Sequence, residues 1–159
     1  MFDSKVIEEI KNRLIERNEK LSVAESVTAG YLQAALASAS LALKFFEGGI
    51  TTYNINQKVR HLKIDRSAGE ACNCVSEQTA NEMALGVCEL FGTEWGISIT
   101  GYATTVPESD FKLFAWFSIC YKGKVLLVEK IDLKNQKAED AQVEYVNVII
   151  EKLLGVLNK

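Results

Sequence analysis

Glu25-Ser26-Val27-Thr28-Ala29-Gly30 sets a carboxylate, two hydroxyls and a glycine side by side. A serine hydroxyl attacks a carbonyl only when a nearby base takes its proton. Small residues let a ligand approach the main chain, and the N–H groups that open a helix are donors for an anion or a developing oxyanion. Glu25, Thr28, Ala29 and Gly30 are therefore candidate substrate contacts around a candidate nucleophile, Ser26. The plainer alternative is a capped turn, since Ser and Thr are common helix caps. Lys58, with Tyr53 shortly before it, forms the second group. A neutral amine accepts a proton, and burial lowers a lysine pKa toward that state; a lone lysine is otherwise a solvated side chain on a helix face. Thr100-Gly101 forms the third group, either a site at a strand end or a turn out of the sheet. His61, the single histidine, sits in "RHLK", which reads as the end of a short helix and offers no triad.

The elements that must position these residues follow from apolar periodicity. Asp3 caps a helix over about Ser4 to Arg17, with Val6, Ile7, Ile10 and Leu14 on one face. "LSVAES" is a strand. Thr28 then caps a helix whose buried stripe is Leu32, Ala35, Leu36 and Ala39. "FFEGGITTYNI" is a second strand and "NQKVRHLKI" a short helix. Asp65 to Cys74 reads as irregular. Ser76 opens and Gly92 closes the clearest helix, with Ala80, Met83, Ala84, Val87, Cys88 and Phe91 along one side. "WGISITG" is a third strand. "KLFAWFSICY" and "KVLLVEKIDL" form an antiparallel hairpin around Lys122-Gly123. A last helix over about Ala138 to Leu157 buries Val143, Val146, Ile150, Leu153 and Leu157. This order predicts an α/β fold: a three-layer α/β/α sandwich with a mixed, mostly parallel sheet and a C-terminal antiparallel hairpin, in one domain over 1–159.

The chain has 159 residues, 48% hydrophobic and 25% charged, which suits one domain with a full core. Its net charge of −3 gives no electrostatic case for nucleic acid or an anionic membrane as a partner. No apolar run approaches the length of a membrane span, and the N-terminus is charged from its third residue. Four cysteines without a disulfide pattern suggest a reducing, cytoplasmic setting. Cys72 and Cys74 fall short of a zinc ligand set, so no metal is expected, and Cys88 and Cys120 read as core thiols. The cluster Phe114, Trp116 and Phe117 fits a buried sheet or a homodimer interface.

"VAESVTAG", "FFEGGITTYNINQKVRHL", "CVSEQTANEMALG" and "ISITG" occur in an order and spacing that resembles the CinA C-terminal domain family, which includes nicotinamide mononucleotide deamidases. The resemblance runs from about Leu21 to Gly101. It implies an amidohydrolase that turns a carboxamide into acid and ammonia without metal or other cofactor. Ser26 falls on the family's serine, Lys58 on its lysine and Tyr53 on its tyrosine; Thr28, Gly30, Thr100 and Gly101 also match. A small-molecule nucleotide or amide is the implied partner. The chain departs from the family pattern at Val27, Ala29 and Ile55. It departs again after Gly101, where the glycine-rich loop is replaced by "YATTVPESDFKLFAWF" with Glu108 and Asp110. Those carboxylates would repel a phosphate if they faced the site. The alternative reading is a catalytically degenerate binding or interaction protein of the same fold.

Overall fold

The computed structural model describes residues 1–159. Asp3 accepts hydrogen bonds from the N–H groups of Lys5 and Val6, and left-handed Asn18 closes the other end, so α1 spans Ser4–Arg17. The remaining elements are β1 (Leu21–Glu25), α2 (Tyr31–Ala37), β2 (Phe46–Thr51), α3 (Ile55–Leu62), α4 (Arg66–Ala71), α5 (Glu77–Phe91), β3 (Trp95–Gly101), β4 (Leu113–Tyr121), β5 (Lys124–Leu133) and α6 (Ala138–Leu157). Short 3-10 turns lie at Ala42–Lys44 and Pro107–Ser109.

The sheet order is β2-β1-β3-β4-β5. β1 pairs in parallel with β2 and β3, whereas β3–β4 and β4–β5 are antiparallel, so β4 alone runs against the other strands. Helices α1, α2 and α6 cover one face; α3, α4 and α5 cover the other. The expected three-layer α/β fold with a late hairpin is the one observed.

The two faces are built differently. On the α1/α2/α6 side, Leu21, Val23, Ile97, Ile99, Phe117 and Ile119 enter a core of 26 buried residues, against six in the cluster on the α5 side. Most alternate positions of the same strands are small or hydroxylated, Phe114 and Trp116 of β4 excepted. Ser22 Oγ donates to the Val87 carbonyl at 3.2 Å, and Ser98 Oγ donates to the Ala80 carbonyl. Small side chains let α5 lie close against the sheet, and both of these hydroxyls are satisfied by an α5 carbonyl.

Some local expectations are corrected. Residues 66–71 are not irregular: Asp65 accepts from Ala68 N and opens α4, and only residues 72–74 after it form an irregular turn. α2 stops at Ala37, and its N-cap is Gly30 rather than Thr28. β2 ends at Thr51, and Asn54 caps α3 through Gln57 N. The α6 stripe is centred on Ala141, Tyr145, Ile149 and Leu153, leaving Val143 half-buried. The aromatic cluster is split by strand alternation: Phe117 is fully enclosed, while Phe114 and Trp116 are half-buried on the opposite face.

Gly86 sets how close α3 comes to α5. A Cβ there would collide with the Leu62 carbonyl at the end of α3. Gly86→Ala is expected to destabilise the fold by about 1–3 kcal/mol through overpacking, a loss that urea unfolding of the two proteins will measure.

Candidate functional site

Three parallel strands deliver their C-terminal ends to one edge of the sheet. The chain leaves β1 toward β2 on one side and later returns to β3 on the other. A crevice opens at such a reversal, where ligands of open α/β sheets commonly bind. Ser26 follows β1, and Thr100 and Gly101 end β3. A cleft of about 560 Å³ lies there. Ser26, Tyr53, Lys58, Asn73, Cys74 and Gln142 are among its lining residues.

Ser26 and Lys58 meet in that cleft. Lys58 Nζ lies 2.9 Å from Ser26 Oγ and donates to the Thr52 carbonyl at 2.7 Å. Lys58 is 2% exposed and Ser26 8% exposed. Burial pulls the Lys58 pKa down to about 8, opposed in part by the charge of a Cys74 thiolate. The Cys74 thiol is itself pushed up, first by burial. The lowered pKa brings the neutral amine, the form that accepts a proton in general base catalysis, into reach from about pH 8 upward.

Glu25 does a different job from substrate contact. Its carboxylate is fully buried and accepts from Thr28 Oγ1 at 2.6 Å, Leu32 N at 2.7 Å, Gln33 N at 3.0 Å and Gln33 Nε2 at 2.9 Å. It therefore caps α2 in place of Thr28, whose hydroxyl it also holds. This leaves the N–H groups of Val27, Thr28 and Gly30 without a partner in the chain. Ala29 has φ 50° and Gly30 φ 106°, so the turn passes through two left-handed residues. Of this segment Ser26 and Val27 line the cleft; Glu25, Thr28, Ala29 and Gly30 do not. Tyr53 is 74% exposed at the rim and makes no side-chain hydrogen bond to Ser26 or Lys58. Glu108 and Asp110 lie outside the lining; Glu70 and Lys58 are its charged residues, and Glu70 faces Arg66 at 3.7 Å.

Several lining residues carried no signal in the sequence. Asn73 and Cys74 are consecutive left-handed residues, with φ 54° and 58°. Such strain is held only where the surroundings fix it. Thr100 Oγ1 donates to the Cys74 carbonyl at 2.7 Å, and Asn73 Nδ2 donates to Tyr102 OH at 3.1 Å. From α6, Gln142 Nε2 donates to the Val27 carbonyl at 2.8 Å and Tyr145 OH to the Tyr102 carbonyl at 2.7 Å. Helix α6 thus fastens both the serine turn and the exit of β3. The Cys-Asn-Cys spacing was the one visible mark of the 72–74 segment; it falls short of a metal ligand set, and nothing in it marks a cleft wall.

A family model described as the CinA C-terminal domain matches residues 3–157. A CinA-like protein of Synechocystis sp. is 47% identical over 90 residues, 57% of this chain and 22% of that protein. A CinA-like protein of Prochlorococcus marinus is 32% identical over 144 residues, 89% of this chain and 34% of that protein. The chain spans between 22% and 34% of the length of these curated relatives. Among solved structures, the competence-damaged protein (CinA) superfamily protein of Escherichia coli superimposes with TM-score 0.90 at 28% identity, covering 96% of this chain and 89% of that one. The corresponding superfamily protein of Klebsiella pneumoniae gives TM-score 0.91 at 25% identity, covering 98% and 97%.

Two outcomes follow from this geometry. Glu25→Gln replaces one acceptor oxygen of a group that takes four hydrogen bonds and is expected to cost about 1–3 kcal/mol in chemical denaturation. The Lys58 pKa is lower in the folded chain, about 8 against an ordinary 10.5, so the unfolded chain holds more protons between those values. Folded stability attributable to this group therefore rises with pH across that window and is flat on either side. Lys58→Met should remove that rise, read as the difference between wild-type and variant unfolding free energies from pH 7 to 11.

Proposed function

The chain belongs to the CinA C-terminal domain family, and from that premise we propose that its cleft is an amidohydrolase site, with Ser26 as nucleophile and Lys58 as base. The observation that carries this reading is the buried 2.9 Å contact between Lys58 Nζ and Ser26 Oγ, made by an amine held near pKa 8. No histidine takes part, and none is needed once the lysine has lost its proton, which its lowered pKa brings to about pH 8.

The steps follow from that pair. Ser26 Oγ attacks the carboxamide carbon while Lys58 accepts its proton. The carbonyl oxygen becomes an oxyanion, and the unpartnered N–H of Val27, beside Ser26, is a candidate donor to it. Lys58 returns the proton to the leaving nitrogen, the C–N bond breaks, and ammonia departs from an acyl-Ser26 ester. Water, deprotonated by the same amine, hydrolyses the ester and frees the acid. The Thr52 carbonyl stays bonded to the amine throughout, which keeps it pointed at Ser26. Thr100 and Gly101 form one wall and Tyr53 the outer rim.

Nicotinamide mononucleotide is the first substrate to test, given the family resemblance. Ammonia release is expected from the wild-type protein and is expected to fall by about 10³-fold or more in Ser26→Ala and in Lys58→Met. The wild-type kcat/KM should climb with pH through about 8 as the amine loses its proton. If the protein binds the nucleotide but releases no ammonia from it or from a panel of related carboxamides, the cleft is a binding site and the hydrolase reading fails.

A further inference from the structure

We propose that Cys88 and Cys120 form a second, separate site at which a peroxide oxidises the pair to a disulfide, tying α5 to β4. The two sulfurs face each other at 3.0 Å, one from the helix and one from the strand beneath it. They meet over Gly96 of β3. A Cβ on Gly96 would collide with Cys88 Sγ and press on Cys120 Sγ, so the absent side chain is what makes room for both sulfurs. A closing movement of about 1 Å brings the pair to the disulfide length of about 2 Å. Cys72 and Cys74 show no comparable contact; the Cys72 thiol instead donates to the Ala68 carbonyl at 3.2 Å.

The two thiols are unequal in a useful way. Cys88 is half-buried and Cys120 fully enclosed, so an oxidant reaches Cys88 first. The contact between the two sulfurs lowers the Cys88 pKa and raises that of Cys120, so Cys88 gives up its proton more readily than Cys120. A low-pKa, reachable cysteine beside a resolving thiol is the usual arrangement of a peroxide-sensitive site. In the first step the Cys88 thiolate attacks one peroxide oxygen, the O–O bond breaks, and sulfenic acid and water result. In the second the Cys120 sulfur attacks the sulfenic sulfur, a second water leaves, and the S–S bond closes. Two thiols and one hydrogen peroxide give one disulfide and two waters. Neither cysteine lines the cleft, so Ser26 and Lys58 are untouched by this chemistry.

The test treats the folded, full-length protein with hydrogen peroxide, blocks the remaining thiols by alkylation in denaturant, and digests after glutamate under non-reducing conditions. Such digestion puts Cys72 and Cys74, Cys88, and Cys120 on three peptides, residues 71–77, 83–89 and 109–129. The expected result is peptide 83–89 joined to 109–129, with Cys72 and Cys74 recovered alkylated. The oxidised protein should also melt at a higher temperature, a gain that a reductant reverses and that Cys88→Ala and Cys120→Ala each lack. Recovery of both Cys88 and Cys120 as free thiols overturns the proposal. So does Cys88 recovered as sulfinic acid with Cys120 still alkylated.

Discussion

The parallel pairing of β1 with β2 is the constraint on which the site depends. Glu25 stands opposite Thr51, and the Thr52 N–H continues the ladder by donating to the Glu25 carbonyl at 2.9 Å. That pairing forces the two strands to end together, with Ser26 beside Thr52. Asn54 then caps α3 immediately after, which turns the chain back so that Lys58 comes over both strand ends. A lysine buried there meets a hydroxyl and a carbonyl and no carboxylate. Desolvation therefore wins over compensation, and the charged form is disfavoured.

The same sheet separates cohesion from chemistry. Large aliphatic and aromatic side chains fill the layer between the sheet and α1, α2 and α6. The opposite layer has a smaller apolar cluster, because serine, glycine and cysteine take many of the strand positions there. Glu25 sits at the boundary of these roles. It points into the large core and neutralises none of the charge at Lys58; its four donors all belong to α2 and the turn before it. Its work is to fix the serine turn at the end of β1, which is why a buried carboxylate next to a candidate nucleophile need not be catalytic.

Much of the fold was legible because its longest elements carry strong local signals. Asp3, Ser76 and Gly92 mark helix ends, and Lys122-Gly123 marks the hairpin. Ser26, Lys58, Thr100 and Gly101 were likewise named from sequence, and all of them line the cleft. The failures have physical causes. α4 is only six residues long and has no apolar periodicity to read. Thr28 was a reasonable cap by composition, but the helix starts later, after left-handed Gly30, and its first free N–H groups, those of Leu32 and Gln33, go to the Glu25 carboxylate arriving from the preceding strand. Asn73, Tyr102 and Gln142 reach the cleft through contacts between elements far apart in the chain, which no local pattern encodes.

The acceptor that steadies the Lys58 amine is a main-chain oxygen, that of Thr52. No point substitution deletes a peptide carbonyl, so a change at the fully buried residue 52 keeps the acceptor as long as the new side chain fits and its backbone stays in the ladder. The pairing that orients the amine is thereby insulated from sequence drift. Divergence among homologues can then accumulate around the cleft while the relation between strand ends and helix α3 is inherited as shape alone.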